Sequence, residues 1–180
     1  MNIKEILKGN ERFASKADKN LLIELAEKGQ KPIAVVISCS DSRVPVEVIF
    51  NQSQPGRFFV IRVAGNVVAD SSVKGSIEYA VEHLKIPYIL VLGHTGCGAV
   101  KARLDGVKEG EIGKLVSHIK LQSNKLSQAV VENVESQVRI ISEMDCVKEA
   151  LSKKEIEIHG MLYDLASGKV GVLDFSPKQV

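Results

Sequence analysis

Ile33-Ala-Val-Val-Ile37, followed at once by Ser38-Cys39-Ser40-Asp41-Ser42-Arg43, is the stretch that decides the fold of this chain. The first part is short, apolar and rich in β-branched residues, with Pro32 before it and a polar run after it. That pattern predicts a strand buried on both faces, the kind found inside a parallel sheet. Phe58–Val63, after Pro55-Gly56, and Tyr88–Leu92, after Pro87, repeat it. Between these two runs, Val73, Ile77, Ala80, Val81 and Leu84 have helical spacing, which predicts a helix over 72–84 capped by Ser72 or Ser71. Strands separated by helices of this length pair in parallel through crossover connections.

Further out, Leu115, Ile119, Leu126, Val130, Val134, Val138, Ile141 and Val147 predict two or three helices between Ile112 and Leu151. Ile156–Tyr163 and Val170–Leu173, joined through Ala166-Ser-Gly168, predict a closing hairpin. Toward the N-terminus, Ile3, Ile6, Leu7 and Phe13, then Leu21, Leu22, Leu25 and Ala26, predict a helical arm that Gly29 and Pro32 end. The expected architecture is α/β: a mainly parallel central sheet of four to five strands flanked by helices, with the arm over residues 1–30. At 180 residues a single domain, 1–180, is expected.

Composition narrows the function classes. A hydrophobic content of 44%, a charged content of 26% and a net charge of +2 describe a soluble globular protein. They provide no field that would select nucleic acid or an anionic membrane. The first residues alternate apolar and charged positions, unlike a signal peptide, and no run approaches the roughly 20 apolar residues of a membrane span. Three cysteines do not make a disulfide framework. A cytoplasmic location is the expectation.

Cys39 and the later His94-Thr-Gly-Cys97 fall at the carboxyl ends of two predicted strands, where ligands collect in parallel sheets. Two thiolates and an imidazole suit zinc. Three protein ligands leave the fourth tetrahedral position for water or substrate, the ligand count of a catalytic site. Cys146 lies in a polar, helix-like stretch with no second ligand at metal spacing, and reads as an unpaired thiol. Without a Cys-x-x-Cys, a thiol redox site is disfavoured.

Asp41 and Arg43 can place their side chains on one side of an extended turn and pair there. Two residues after a metal ligand, the carboxylate either accepts a hydrogen bond from the metal-bound nucleophile or, once released by Arg43, becomes the fourth ligand itself. Gly93, Gly96 and Gly98 do not match a phosphate-binding motif and read as backbone permissiveness around the two ligands. His83 and His118 in helical patterns, and His159 in a strand, read as surface or core histidines rather than proton relays.

Cys39-Ser-Asp41-Ser-Arg43 with His94-x-x-Cys97 resembles the zinc signature of the β-class carbonic anhydrases, over about Gln30 to Lys101 and weakly through Ile158-His-Gly160. The resemblance implies one Zn²⁺ per subunit on Cys39, His94 and Cys97, and an Asp41/Arg43 dyad. The implied reaction is reversible hydration of carbon dioxide to bicarbonate and a proton, through attack by zinc-bound hydroxide oriented by Asp41. It also implies a substrate pocket at Gln30, Phe59 and Tyr79, and a homodimer or homotetramer in which the arm packs on a partner subunit.

Two departures stand out. Arg62-Val-Ala-Gly-Asn66 replaces the common Arg-Asn-Val-Ala-Asn, putting Ala64 where a bulkier valine usually lines the pocket. Val36 stands where the bicarbonate-inhibited subgroup carries tryptophan, so that inhibition is not expected. The alternatives are a hydrolase of carbonyl sulfide or carbon disulfide on the same fold, and a noncatalytic zinc-binding regulatory module. Two thiolate ligands make the bound water less acidic than imidazoles would, so activity is expected to rise on the alkaline side of neutral.

Overall fold

The computed structural model describes residues 2–175. Residues 176–180, the end of the expected 1–180 domain, lie outside the described residues. The chain divides into two compact units, one reaching to Lys31 and the other beginning at Pro32.

The first unit holds two helices, α1 (Ile3–Lys16) and α2 (Lys19–Lys28). Asn2 opens α1 through a capping box: its side chain accepts from the Glu5 amide while the Glu5 carboxylate accepts from the Asn2 amide. Asp18 caps α2 by accepting from the Asn20 and Leu21 amides. Gly29, at φ 77°, ends it where the left-handed region suits glycine. Neither helix buries a residue, and Ile3, Ile6, Leu7, Phe13 and Ile23 are exposed.

In the second unit β1 (Ala34–Ser38) leads through the one-turn α3 (Val46–Ile49) to β2 (Phe58–Arg62). A 3-10 turn at Ala64–Asn66 and α4 (Ser71–Glu82) then lead to β3 (Tyr88–His94). After it come α5 (Gly98–Leu104), α6 (Gly110–Ser117), α7 (Leu126–Ser142) and α8 (Asp145–Ser152), then β4 (Glu157–Tyr163) and β5 (Val170–Val172). The described strands form one sheet in the order β2-β1-β3-β4-β5. The pairs β1–β2, β1–β3 and β3–β4 are parallel, and the β4–β5 hairpin is antiparallel. This is the expected architecture, with five strands. No helix among the described residues is long and apolar enough to cross a membrane.

Every residue of β1 is buried, as its unbroken apolar run requires for an interior strand of a covered sheet. Its alternate side chains serve two cores. Val35 and Ile37 pack with Ile61, Ile89, Val91 and the helices α4, α7 and α8. Ala34 and Val36 pack with Leu90, Leu92, the loop residue Val44 and Val46 of α3. A third cluster joins Cys39 and Cys97 to Val67, Val100, Val116, Ile119 and Val130, so the site rests on its own hydrophobic floor.

Three local expectations are corrected. The cap of α4 is Asp70, which accepts from the Ser72 and Val73 amides, because the carboxylate one residue earlier reaches both free donors. His94 is the last residue of β3, paired with Tyr163, rather than lying past the strand. The stretch after Cys97, to which the sequence pattern assigns no element, is a helix, α5. Of the three glycines around the ligands only Gly96 has a positive φ, 65°. Gly93 is needed for another reason: a Cβ there would collide with Val134 of α7.

Candidate metal centre

Parallel pairing of β1 with β3 puts the carboxyl ends of the two strands side by side, with Ser38 opposite Leu92. Cys39 leaves the end of one strand, His94 ends the other, and Cys97 stands at the N-cap of α5. All three are buried, and their ligating atoms lie within 4.8 Å of one another. Donors held at about 2.0–2.3 Å from a tetrahedral zinc sit roughly 3.4–3.8 Å apart, so the cluster closes on an ion with small side-chain adjustments.

The imidazole is prepared for that role. His94 Nδ1 lies 3.0 Å from the Thr95 carbonyl, which fixes the ring by accepting the Nδ1 proton and leaves Nε2 as the free donor atom. Nε2 is buried and has no hydrogen-bond partner. A buried polar atom without a partner is costly, and a cation between it and two sulfurs removes the cost. The donor set, its proximity and this orphaned nitrogen all fit zinc.

The two thiols share their electrostatics. The Cys39 thiol is pushed down by its hydrogen bond with Cys97, against burial, and further by His94 and the Gly65 amide. Cys97 is pushed up by the same contact and by burial. The pair is therefore biased toward one thiolate before any metal arrives, on the sulfur that receives the Gly65 N–H at 3.3 Å.

Asp41 and Arg43 are paired, as the sequence suggested. Arg43 donates from Nε to Asp41 Oδ1 at 2.9 Å and from Nη2 to Oδ2 at 2.7 Å, and its backbone amide adds a third bond to Oδ1 at 3.0 Å. These bonds, the side-chain ones first, hold the Asp41 carboxyl well below the usual carboxylate range. Asp41 Oδ2 lies 3.8 Å from His94 Nε2, so the ionised carboxylate borders the ligand cluster.

Phe59 on β2 and Tyr79 on α4 pack with ring centroids 6.1 Å apart, and Tyr79 continues the stack onto His83 at 5.2 Å. Ala64 packs against the cluster that holds Cys39 and Cys97. Gln30 belongs to the first unit, exposed just beyond α2. His118 follows α6, and His159 on β4 lies 2.9 Å from Glu157. Cys146 is a half-buried free thiol on α8, its pKa raised by burial and by the charges of Glu78 and Glu82.

Sequence reasoning missed the residues that hold the site in place. Arg62 donates to the carbonyls of Cys39, at 3.2 Å, and Asp41, at 2.7 Å, and so clamps the first ligand loop from the neighbouring strand. Its signal was a lone arginine ending an apolar strand beside another strand end. Thr95, beyond its bond to His94, accepts from the Leu165 amide through Oγ1 at 3.1 Å.

The carbonic anhydrase family profile matches residues 34–170, which contain every donor described above. The chain belongs to the β-class carbonic anhydrase family. The carbonic anhydrase of Mycolicibacterium smegmatis is 55% identical over 85 residues, covering 47% of this chain and 40% of that protein. The chain spans about half the length, or less, of the curated mycobacterial relatives it matches. The carbonic anhydrase of Pseudomonas aeruginosa is 34% identical over 195 residues, 96% of this chain and 88% of that one. Among solved structures, a tetrameric β-carbonic anhydrase of the ascomycete Sordaria macrospora superposes with a TM-score of 0.85 at 29% identity, over 94% of this chain and 95% of that one. The likeness to the Pseudomonas and Sordaria proteins thus extends over nearly the whole carbonic anhydrase chain.

Proposed function

We propose that the protein catalyses reversible hydration of carbon dioxide to bicarbonate and a proton, with zinc held by Cys39, His94 and Cys97. The observation that carries this reading is the pairing of a three-donor ligand set, which leaves a fourth tetrahedral position free, with an Arg43-held carboxylate 3.8 Å from its imidazole. A zinc ion held there supplies a nucleophile from water near neutral pH, together with positive charge to balance the developing product anion. The chain's own residues supply geometry. Asp41, kept ionised by Arg43, can only accept a hydrogen bond. It would therefore accept a hydrogen bond from the O–H of the attacking oxygen, the proton staying on that oxygen, and so turn a lone pair toward the carbon of the substrate. Arg43 and Arg62 fix the carboxylate and its backbone, so the orientation is set before substrate enters.

Phe59, Ala64 and Tyr79 line the substrate pocket in this reading, and largely apolar walls suit an uncharged triatomic substrate. The exposed apolar residues of α1 and α2 support an arm that packs on a partner subunit of a homodimer or homotetramer, the whole chain acting as one functional domain. The modest net charge supports an enzyme with no nucleic-acid partner, and cysteines that read as metal ligands rather than a disulfide framework support a cytoplasmic location.

Stopped-flow hydration of carbon dioxide by the zinc-loaded protein from pH 6.5 to 9 tests the reading. Turnover is expected to rise with pH and to fall by about two orders of magnitude or more in Asp41→Ala, the scale of losing a positioned proton acceptor. Absence of turnover with zinc fully bound would sink it and direct the same assay to carbonyl sulfide and carbon disulfide.

A further inference from the structure

We propose that Asn133 and Gln137 of α7 are positioning residues for the metal centre: through the turn at residues 64–68 they hold the Gly65 amide against the Cys39 sulfur. The inference rests on the reading of Cys39, His94 and Cys97 as zinc ligands.

Asn133 and Gln137 are both fully buried, one turn apart on the helix face that also buries Val130, Val134 and Ile141. Amides in such a place need partners for every donor and acceptor they can satisfy. Here the partners run in one direction. Gln137 Oε1 accepts from the Val68 amide at 2.8 Å, and its Nε2 donates to Asn133 Oδ1 at 3.1 Å. Asn133 Nδ2 donates to the Gly65 carbonyl at 2.8 Å, and the Gly65 amide donates to Cys39 Sγ at 3.3 Å. The chain of hydrogen bonds is unbroken from α7 to a metal-ligating sulfur.

The turn depends on this support. Gly65 and Asn66 both have left-handed backbones, φ 69° and 47°, with no side-chain cap of their own. The two α7 amides grip it at both ends, the Gly65 carbonyl and the Val68 amide. The grip is rigid because α7 lies directly on the sheet: a Cβ on Gly93 would collide with a Val134 methyl. Leucine or methionine at 133 and 137 would pack a helix on a sheet equally well, so packing alone gives no reason for two amides here. An N–H donated to a thiolate draws charge from the sulfur, and partners of this kind, one step beyond the ligands, commonly change metal affinity 10–100-fold.

The test compares wild type, Asn133→Leu and Ile141→Ala as full-length proteins, by zinc competition against a chelator, by the absorption of the cobalt(II)-substituted forms and by thermal unfolding. Asn133→Leu should bind zinc about tenfold more weakly. Its thiolate-to-cobalt charge-transfer band should move to longer wavelength, because the sulfur lone pairs lose a hydrogen bond. Ile141→Ala, on the same helix, should lower the melting temperature and change neither affinity nor spectrum. If Asn133→Leu does not fold, Gln137→Met carries the same test, with smaller changes in the same directions. Wild-type affinity and spectrum in the folded variant overturn this inference alone; failure of the wild-type protein to bind zinc overturns the metal reading and this inference with it.

Discussion

The two loops that supply the metal donors are held mainly by different means. The loop after β1, with Cys39 and Asp41, is tied by side chains: Arg62 on its carbonyls, Arg43 on its carboxylate, and the Gly65 amide on its sulfur. The loop after β3, with His94 and Cys97, is tied mainly by backbone, with the Thr95 hydroxyl adding one bond from the Leu165 amide. His94 is still in the ladder, the Thr95 amide donates to the Tyr163 carbonyl at 3.0 Å, and the Cys97 carbonyl accepts from Lys101 in the first turn of α5. Two ligands close in sequence are thus placed by forming the sheet and one helix. The distant ligand needs specific charged and hydrogen-bonding residues, and these sit on the side that carries Asp41. The adjustable half of the site is the half built from side chains.

The sharpest way to break this contrast uses the one left-handed glycine on each side. Gly65 combines φ 69° with crowding: an added Cβ would lie 3.1 Å from both Ala99 Cβ and Ile119 Cδ1. Gly96 has φ 65° and nothing within 4 Å of the same position. Gly65→Ala should therefore cost the left-handed penalty plus overpacking, about 3 kcal/mol. Gly96→Ala should cost only the former, about 1 kcal/mol. Denaturant midpoints of the two variants measure the difference; equal losses would mean that the turn at 64–66 yields more easily than its packing implies. The Gly65 variant should also weaken zinc, since the amide must move away from Cys39.

Arg62→Met sharpens the contrast with a smaller effect. It keeps the length of the side chain and removes both carbonyl bonds, at about 1 kcal/mol each. Amide exchange should quicken at Arg43 and Val44 while Thr95 and the first turn of α5 keep their protection. Equal quickening on both sides would show that the loops are coupled rather than independently anchored.

What could be read from sequence follows the same division. The strands and ligands were legible because buried parallel strands need unbroken β-branched runs and because Cys and His at strand ends have few structural uses. The hairpin at β4–β5 was legible from its turn residues. Helix α5 was not, because Gly96-Cys97-Gly98 has the composition of a loop and the residue at its N-cap makes no side-chain capping bond. Asn133 and Gln137 were visible as two amides one turn apart in an apolar stripe, yet their partners Gly65 and Val68 lie 68 and 69 residues away, a distance no local pattern spans. Arg62 failed for a related reason, since its contacts are to carbonyls, which every residue possesses.

Acid separates the loops most gently. Hydrogen bonds from Arg43 lower the Asp41 carboxyl from its ordinary value of 3.8. A carboxylate with a depressed folded value contributes stability that is fully present above the unfolded value and is lost as pH falls through the folded one. Wild type should therefore exceed Asp41→Asn in stability at pH 6, and the gap should narrow steadily below about pH 3.8. The gap should be small, because Arg43 is largely in water and solvent screens the pair. Denaturant titrations of the zinc-free chain give this reading without interference from metal released by protonated thiols. A gap that does not change between pH 6 and 3 would show that the Asp41 side chain acts through its neutral hydrogen-bonding geometry and not through its charge. The first loop would then be as indifferent to acid as the second, and the division between a charge-tied and a backbone-tied half of the site would fail at its weakest point.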